Sequence, residues 1–280
     1  MALTKQEWLA LEKKAFELRN LCLDTTYWAG SGHIGGGMSV MDMMTILYHK
    51  YLNIKVDDPN WEDRDRFILS KGHSGIAYAP VLCDFGYNDP EQLKTFNLTN
   101  SKMGIHLDSN KVVGVDASTG SLGHGLSIAL GTGLAARVLG KSYKTYCILG
   151  DGECDEGEVW EAALIAHQFK LDHLVAVIDH NKMQSLDFCE HTIALAPFGD
   201  KWRAFGWNVI ETDGNDTDAL ETAFAQAKTN AGSEKPTVII ANTIKGKGVS
   251  FMENNILWHY RTPQGEEYEA ALKELEAQRP

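Results

Sequence analysis

The sequence has few cysteines, and their arrangement would not support a disulfide framework. The five cysteines are odd in number and include no CxxC pair, a pattern typical of reduced thiols in a reducing compartment. No segment approaches the ~18 consecutive apolar residues that a membrane-spanning helix needs. The N-terminal stretch "MALTKQEWLALEKKAFELRNL" is an amphipathic, mixed-charge helical pattern without the apolar core of a signal peptide. We therefore predict a cytoplasmic protein.

Positive charge is also scarce. The chain has 26 Lys and Arg against 38 Asp and Glu, a net charge of −12, which argues against nucleic acid or an anionic membrane as a partner. A small phosphorylated ligand remains compatible, because a local cationic or metal site can overcome the global field. The 280 residues can bury a substantial core, and they contain no internal repeat, linker or low-complexity segment. We predict a single domain over residues 1–280.

Apolar runs of strand length alternate with helical patterns through the second half of the chain. Runs such as "LVAVID" and "TVIIANT" are apolar throughout, as expected for strands buried on both faces of a parallel sheet. Right-handed crossovers then give an α/β fold with a doubly wound, mostly parallel sheet and helices on both faces. The predicted strands are 145–149, 173–179, 207–212, 237–243 and a short one within "RDRFILSKGH". The predicted helices are 5–27, 39–51, 158–169, 198–205 and 217–229, with one more that runs into Gly86 and one within "TGSLGHGLSIALGTGLAARVLG".

Two polar side chains follow consecutive predicted strands. Asp151 lies in a Gly-Asp-Gly turn after the first strand, and Asn181 follows the second. Parallel sheets bind ligands at the carboxyl ends of their strands, and one anionic plus one neutral oxygen ligand suits a hard divalent cation that also binds phosphate. Gly150 and Gly152 would let the backbone approach that phosphate closely. The alternative is that the turn is only tight and that Asn181 caps a helix.

This spacing resembles the thiamine diphosphate signature, in which an Asp, an Asn and a backbone carbonyl hold Mg²⁺ or Ca²⁺ against the diphosphate. The resemblance implies that Asp151, Asn181 and the carbonyl of Met183 form such a site. Four further stretches are similar to transketolase motifs, in the order that this family has them: "SGHIGG" at 31–36, "DRFILSKGHS" at 65–74, "TGSLGHGLS" at 119–127 and "TIKGKGVSFMENNILWH" at 243–259. The chain is identified by these motifs as a member of the transketolase family.

The resemblance also implies an activity and a partner. Full-length transketolases carry the diphosphate-binding, pyrimidine-binding and C-terminal domains in one much longer chain. We therefore expect the N-terminal subunit of a split transketolase, in an α₂β₂ assembly whose partner chain carries the other two domains and the activating glutamate. The predicted reaction transfers a two-carbon ketol unit from a ketose phosphate to an aldose acceptor. A truncated chain is the competing explanation of the length, although Met1 and a charged terminal helix favour natural ends.

The family's motifs imply roles for individual residues. His33 and His106 would contact the donor's hydroxyl and carbonyl oxygen, and His73 would lie near the diphosphate and the substrate. His259 lies in the closing segment, which follows the two-chain pattern. Glu156 and Glu161 would sit at the interface with the partner's glutamate. The implied cofactor-binding residues are His73, Gly120, Ser121, Leu122, Gly150, Asp151, Gly152, Glu156, Asn181, Met183 and Lys245.

Other functions and roles are compatible with parts of the sequence. "GSGHIG" at 30–35 fits the dinucleotide motif G-x-G-x-x-G, but a long helical pattern precedes it where that motif needs a strand. A 1-deoxyxylulose-phosphate-synthase-like enzyme, the α chain of an α-ketoacid dehydrogenase and a non-catalytic binding homologue would share the metal motif. Glu153, Asp155 and Glu158 are interpreted as first-turn carboxylates that only favour the helix dipole. Lys245 and Lys247 either bring positive charge to the diphosphate or are solvated.

Overall fold

The computed structural model describes residues 3–280, so Met1 lies outside the described residues. Five strands form one parallel sheet in the order β1-β2-β3-β5-β4. Strands β2, β3 and β5 are almost entirely buried, which explains their continuous apolar sequences. The bounds of the five strands are β1 Arg66–Leu69, β2 Thr145–Gly150, β3 Leu174–His180, β4 Asn208–Asp213 and β5 Thr237–Asn242.

Helices cover both faces of the sheet, so the predicted α/β fold is confirmed. Along β2, Tyr146 and Ile148 belong to one apolar cluster, while Cys147 and Leu149 belong to the other, as the alternation of side chains along a strand requires. The first cluster includes residues of α1, α2, α3, α8 and α9, and the second includes residues of α4, α5 and α7. The helices are α1 Lys5–Ala29, α2 Ile34–Ile46, α3 Gly75–Asp84, α4 His124–Val138, α5 Gly157–Gln168, α6 Cys189–Thr192, α7 Phe198–Ala204, α8 Thr217–Thr229 and α9 Glu266–Glu276.

Helix α2 begins five residues earlier than the predicted helix that starts at Ser39. The glycines at 35–37 lie in its first turns, where the sequence predicts a break. A Cβ atom at Gly35 would lie 2.8 Å from the carbonyl oxygen of Trp258, and one at Gly37 would lie 2.8 Å from Ile76. Close packing against neighbouring segments therefore explains these glycines, despite their low helix propensity. The helix is buried on every side and continues into a π-helical turn over Leu47–Tyr51.

The connections at the carboxyl edge of the sheet include short helical turns and one long, mostly irregular segment. Between β2 and α5, a 3₁₀ turn over Gly152–Asp155 precedes the α-helix, whose N-cap is Glu156. The segment between α3 and α4 contains a 3₁₀ helix over Pro90–Thr95 and is otherwise irregular, as predicted for residues 97–118.

All five cysteines are free, buried thiols. None of the helices within residues 3–280 combines the length and apolar character needed to cross a membrane.

Candidate active site

A cleft of about 370 Å³ opens at the carboxyl edge of the sheet. The loops that follow β1, β2, β3 and β5 all contribute to it, together with the start of α2, the segment before α4 and the closing segment near residue 259. Most of the predicted site residues meet in this cleft: His33, His73, His106, Gly120, Leu122, Gly150, Asp151, Gly152, Asn181, Met183, Lys245 and His259.

Asp151 and Asn181 lie side by side because their strands are neighbours. Strands β2 and β3 pair in parallel, with Gly150 opposite Asp179, so both strands end at the same level. The Asp151 carboxylate accepts hydrogen bonds from the backbone N–H of Gly152 at 2.8 Å and of Lys182 at 2.5 Å. The Asn181 side-chain oxygen accepts one from the N–H of Met183 at 3.1 Å. The two side chains share the cleft, as predicted.

The environment of Asp151 is unfavourable for an anion without a cation. Its side chain is buried at 1% exposure, and no Lys, Arg or His among the described residues forms an ion pair with it. Burial raises the pKa of Asp151, and the nearby Asp179 carboxylate raises it further. A buried carboxylate normally coordinates a metal or pairs with a cation. The position therefore suits a bound cation.

The oxygen donors of the cleft fit a divalent metal that is shared with a ligand. Asp151, the Asn181 side chain and the Met183 carbonyl supply three oxygens of the type that Mg²⁺ and Ca²⁺ prefer. Within residues 3–280 no cluster of three His, Cys, Asp or Glu side chains could hold a metal by itself. A cation here would need ligand oxygens to complete its coordination, and Mg²⁺ commonly takes them from phosphates.

Two buried lysines, Lys71 and Lys245, line the cleft and bring positive charge to it. Lys71 is 2% exposed, and its ammonium group pairs with Asp179. Lys245 is also 2% exposed and donates to the carbonyl oxygens of Met183 at 3.0 Å and Gln184 at 3.1 Å. Burial lowers the pKa of Lys245 to about 8, and the charge of Lys71 contributes. Lys245 is therefore not solvated, whereas Lys247 does not line the cleft.

Three histidine rings that line the cleft pack against one another in tilted and edge-on arrangements. The ring of His33 lies 5.0 Å from that of His73 and 5.2 Å from that of His259, and the ring of Tyr260 packs at 4.5 Å from His33. Burial lowers the pKa of His33 to about 4 and of His259 to about 3, and it also lowers the pKa of His73. The imidazoles are therefore neutral at pH 7, when each can both donate and accept a hydrogen bond.

His106 also lines the cleft, from the irregular segment before α4. Burial lowers the pKa of His106 as well. Its ring lies directly over Gly120, where a Cβ atom would approach the His106 ring to 3.0 Å. Elsewhere in the cleft, a Cβ on Gly152 would lie 2.6 Å from the Gln184 side chain, whereas one on Gly150 would meet nothing closer than 3.8 Å. Gly150 is therefore less crowded than Gly152, and it lines the cleft.

Glu153 is more than a first-turn carboxylate, so the prediction for this residue is wrong. It is 3% exposed and lines the cleft. One oxygen accepts from the Ser70 hydroxyl at 2.5 Å and the Gly123 N–H at 2.9 Å, and the other accepts from the Gly150 N–H at 3.0 Å. It thus joins the loops after β1 and β2 to the start of α4. No local pattern signals this role, because the three donors are remote from one another along the chain.

Three predicted site residues lie outside the cleft. Ser121, Glu156 and Glu161 are exposed and do not line it. Other cleft residues were not predicted: Gly36, Lys71, Glu153, Gln184 and Ser185. A signal existed for Gly36 and Lys71, since "SGHIGG" and "DRFILSKGHS" contain them.

Beside the cleft, helices α4 and α5 pack together and expose apolar side chains. Ile128 on α4 is 38% exposed, and Leu164, Ile165 and Phe169 on or just after α5 are 57, 41 and 46% exposed. We call these four residues the α4–α5 face. Both helices begin at loops of the cleft, and Glu161 lies on the exposed side of α5. Exposed apolar surface next to a ligand site is typical of a protein–protein contact.

Comparison with known proteins places these features in one family. A family model described as the transketolase thiamine diphosphate binding domain matches residues 11–276. The 6-deoxy-6-sulfo-D-fructose transketolase subunit SqwG of Clostridium sp. (strain MSTE9) is 42% identical over 271 residues, which are 97% of this chain and 98% of that protein. One of the subunits of the apulose-4-phosphate transketolase of Actinobacillus succinogenes is 41% identical over 267 residues, 95% of each chain.

Solved structures show the same similarity over only part of longer chains. The transketolase from Leishmania mexicana superposes with a TM-score of 0.90 at 29% identity, covering 95% of this chain and 41% of that one. The Campylobacter jejuni transketolase gives a TM-score of 0.90 at 29% identity, covering 99% of this chain and 43% of that one. This chain therefore spans about two fifths of the length of these solved transketolases.

Proposed function

Because this chain belongs to the transketolase family and matches that family's thiamine diphosphate binding domain, we propose that it is the diphosphate-binding subunit of a two-chain transketolase. The assembled enzyme would transfer a two-carbon ketol unit from a ketose phosphate to an aldose acceptor. The observation that carries the proposal is the convergence of Asp151, Asn181 and Met183 in one cleft with a cluster of neutral histidines. We place the enzyme in the cytoplasm, in keeping with its free cysteines.

The residues of the cleft fit thiamine diphosphate held through Mg²⁺ or Ca²⁺. Asp151, Asn181 and the Met183 carbonyl would hold the cation, and the backbone at Gly150 would lie beside the diphosphate. Lys245 would add positive charge, while Gly120 and Leu122 would line the position of the pyrimidine ring. When bound, the cofactor supplies the nucleophilic carbon and the electron sink for breaking carbon–carbon bonds beside a carbonyl group.

The cleft histidines would accept protons from the sugar and donate protons to it. A neutral imidazole can accept a proton from a donor hydroxyl and give one to a carbonyl oxygen, and burial lowers the pKa of His33, His73, His106 and His259. We assign His33 and His106 to the donor's hydroxyl and carbonyl oxygens, and His73 to the diphosphate side. His259 packs against His33 and lines the same cleft, which supports a substrate contact for it as well.

A partner chain would complete the site. The two relatives described above are named as transketolase subunits and match this chain along nearly their whole length. We propose that residues 1–280 form the diphosphate-binding domain alone, and that the pyrimidine-binding and C-terminal domains lie on the partner in an α₂β₂ assembly. The partner would supply the activating glutamate, which Glu156 and Glu161 would meet at the interface. Their exposed positions support that role.

The α4–α5 face is the surface where we place this partner. Replacing Leu164 by Glu should weaken the assembly at least tenfold, because a carboxylate would be buried against an apolar surface. Val56→Glu is the matched control, since Val56 is comparably exposed at 51% but does not belong to the face. Co-purification and sedimentation with the partner would measure both. Equal assembly of the two variants would contradict the placement.

The substrates belong to the sugar phosphates and their analogues. One relative's name specifies a 6-deoxy-6-sulfo-fructose and another's specifies apulose 4-phosphate, so related subunits serve sugars with different anionic ends. We propose that this chain contacts the reacting end of the sugar, while the partner recognises most of the distal anionic end. Ordinary pentose-phosphate sugars are the first substrates to assay, followed by modified sugars.

The test is reconstitution. The purified chain is assayed for ketol transfer with thiamine diphosphate and Mg²⁺, alone and with a candidate partner that contains a pyrimidine-binding domain. We expect weak cofactor binding and no turnover by the chain alone, and turnover by the mixture. Full activity of the isolated chain would refute the two-chain proposal. No shift in melting temperature with cofactor and Mg²⁺, even in the mixture, would refute cofactor binding.

A further inference from the structure

Asp179 is a completely buried carboxylate at the carboxyl end of β3, and it collects four side-chain donors. Ser39 and Asn181 donate to one of its oxygens at 2.7 and 2.9 Å, Lys71 pairs with the same oxygen, and the Thr243 hydroxyl donates to the other. These donors come from α2 and from the loops after β1, β3 and β5. Of the four, Asn181 has a further assignment in the proposed function, as a cation ligand.

Two hydrogen bonds, one to Asp179 and one from the Met183 N–H, fix which end of the Asn181 carboxamide faces the cleft. The amide nitrogen donates to the Asp179 carboxylate, so the amide oxygen is turned the other way, where it accepts from the Met183 N–H. Rotating the carboxamide by half a turn would place its oxygen against a carboxylate oxygen, and two acceptors repel each other. It would also point the NH₂ group at the cation position. A neutral carboxamide can ligate a metal only through its oxygen.

We propose that Asp179 is a positioning residue that holds the oxygen of Asn181 in the orientation needed to bind the divalent cation. The inference rests on the proposed function, since it takes Asn181 as a ligand. It extends that function by assigning a second-layer partner, and such partners typically contribute 10–100-fold to metal affinity.

A purely structural role for Asp179 is a poor explanation of its burial. Removing a Lys and an Asp from water costs several kcal/mol per ion, and a well-packed apolar pair at such positions is often as stable or more so. All the residues of β3 from Leu174 to Ile178 are apolar and buried. Asp179 departs from this pattern two residues before the proposed ligand Asn181. A group that positions the Asn181 side chain has to lie this close to it.

The experiment measures Mg²⁺ binding by calorimetry in the presence of saturating thiamine diphosphate, on the chain assembled with its partner. Asp179→Asn preserves shape but replaces a carboxylate, which only accepts, by a neutral amide whose NH₂ end can also face Asn181, so the preference for one orientation of the Asn181 amide is weakened. We expect its Mg²⁺ affinity to fall 10–100-fold. Ser39→Ala and Thr243→Val are the matched controls, because each removes one donor to Asp179 and leaves the Asn181 bond intact. Their affinities should stay within about threefold of the parent protein.

A double-mutant cycle shows whether Asp179 acts through Asn181. In an Asn181→Ala background the additional Asp179→Asn change should cost no further Mg²⁺ affinity, because the group it positions is already gone. Additive losses would overturn the inference. If Asn181→Ala alone leaves Mg²⁺ binding unchanged, the proposed function fails instead, so the two failures are distinguishable.

The variant Asp179→Asn leaves Lys71 buried without its counter-ion, which could prevent folding. The comparison is therefore repeated between Lys71→Met and Lys71→Met/Asp179→Asn, where no unpaired ammonium remains in the double variant. The double variant should bind Mg²⁺ at least tenfold more weakly than Lys71→Met. Equal affinities in this pair would overturn the inference.

Discussion

The two edges of the β-sheet hold their charged side chains in different ways. At the amino-terminal edge, Lys170 pairs with Glu234 at 2.6 Å, and the two side chains are 55 and 66% exposed. At the carboxyl edge, Lys71 pairs with Asp179, and the side chains are 2 and 0% exposed. An exposed pair is worth at most about 1 kcal/mol, whereas a buried pair must overcome several kcal/mol of desolvation per ion. Of these two pairs, the one at the cleft therefore carries the larger cost of burying charge.

The size of a cavity does not separate the two edges. A hollow of about 440 Å³ at the amino-terminal edge is larger than the cleft of about 370 Å³. The hollow contains Lys141, Lys170 and Glu234, whose charges are satisfied by exposed partners. The cleft contains a buried carboxylate without a cation partner among the described residues and histidines with lowered pKa values. Perturbed titratable groups, rather than volume, mark the functional edge.

The largest predicted effect comes from Asp151, whose charge the carboxyl edge leaves without a cation. Asp151→Asn should weaken the binding of Mg²⁺ with thiamine diphosphate by at least about 100-fold, because Asp151 is the one anionic group among the three proposed protein ligands. Calorimetry on the assembled protein measures this. Asp213→Asn is the control, since Asp213 also ends a strand, β4, but is exposed and outside the cleft. Equal losses in the two variants would remove the distinction between cleft and surface carboxylates.

The next effect is on stability and comes from Glu153. Glu153→Ala leaves the N–H groups of Gly123 and Gly150 without their acceptor, and unsatisfied buried groups cost about 1–3 kcal/mol each. We expect a loss of roughly 3 kcal/mol in the free energy of unfolding, measured by urea denaturation. Ser70→Ala, which removes one of the three donors, should cost about 1 kcal/mol. A change below about 0.5 kcal/mol for Glu153→Ala would show that water replaces this carboxylate freely.

The pH dependence of stability tests the neutral histidines. The pKa of His33 is lowered to about 4 and that of His259 to about 3 by burial and by the charges of Lys245 and Lys71, while an unfolded histidine has a pKa of about 6.5. Below about pH 6.5 the unfolded state binds more protons, so these residues lower the stability as the pH falls towards about 4.

Removing the titrating groups should therefore flatten the profile. In His33→Asn and His259→Asn, the fall in the free energy of unfolding between about pH 6.5 and 5 should shrink by up to about 1.4 kcal/mol per pH unit. His167→Asn is the control, since His167 is exposed on α5 and forms no ion pair among the described residues; the flattening is expected in the two cleft variants. A slope that is the same in all three variants would contradict the burial of the cleft histidines.

The smallest effect is expected at the amino-terminal edge. Lys170→Ala breaks the exposed pair with Glu234 and should change the free energy of unfolding by less than about 1 kcal/mol. Its effect should disappear in about 1 M salt, where exposed charges are screened. Thermal or urea denaturation at two salt concentrations measures it. A loss of several kcal/mol would mean that the two edges of the sheet do not differ in the way described.

Much of the fold was predictable because strand burial leaves a direct mark on sequence. The apolar runs of β2, β3 and β5 identify a parallel sheet, and the predicted strand bounds agree with the structure to within one or two residues. The start of α2 was not predictable, since its glycines resemble a loop until Trp258 and Ile76 pack against them. Most of the cleft residues were also predictable from motifs, because these recur as short, ordered stretches in one family.

Local sequence patterns could not predict how deeply each side chain is buried. Glu153 and Glu158 look alike in the sequence, yet one is buried among three backbone and hydroxyl donors, and the other is partly exposed beside His124. Asp179 reads as the last residue of an apolar strand, and nothing near it in the sequence reveals Ser39 or Lys71 as partners. Conversely, Glu156 and Glu161 lie outside the cleft although the motif that contains them borders it.

The parallel sheet, the family and the proximity of two oxygen-bearing side chains at adjacent strand ends could be predicted from the chain alone, because they depend on hydrophobic periodicity and on short motifs. Which carboxylates and ammonium groups are withdrawn from water depends on how the folded chain packs. Burial is set by elements that are distant in sequence, such as α2 over Asp179 and the start of α4 over Glu153. The energy of a charge depends on that burial, so the chemistry of the cleft follows from the packing.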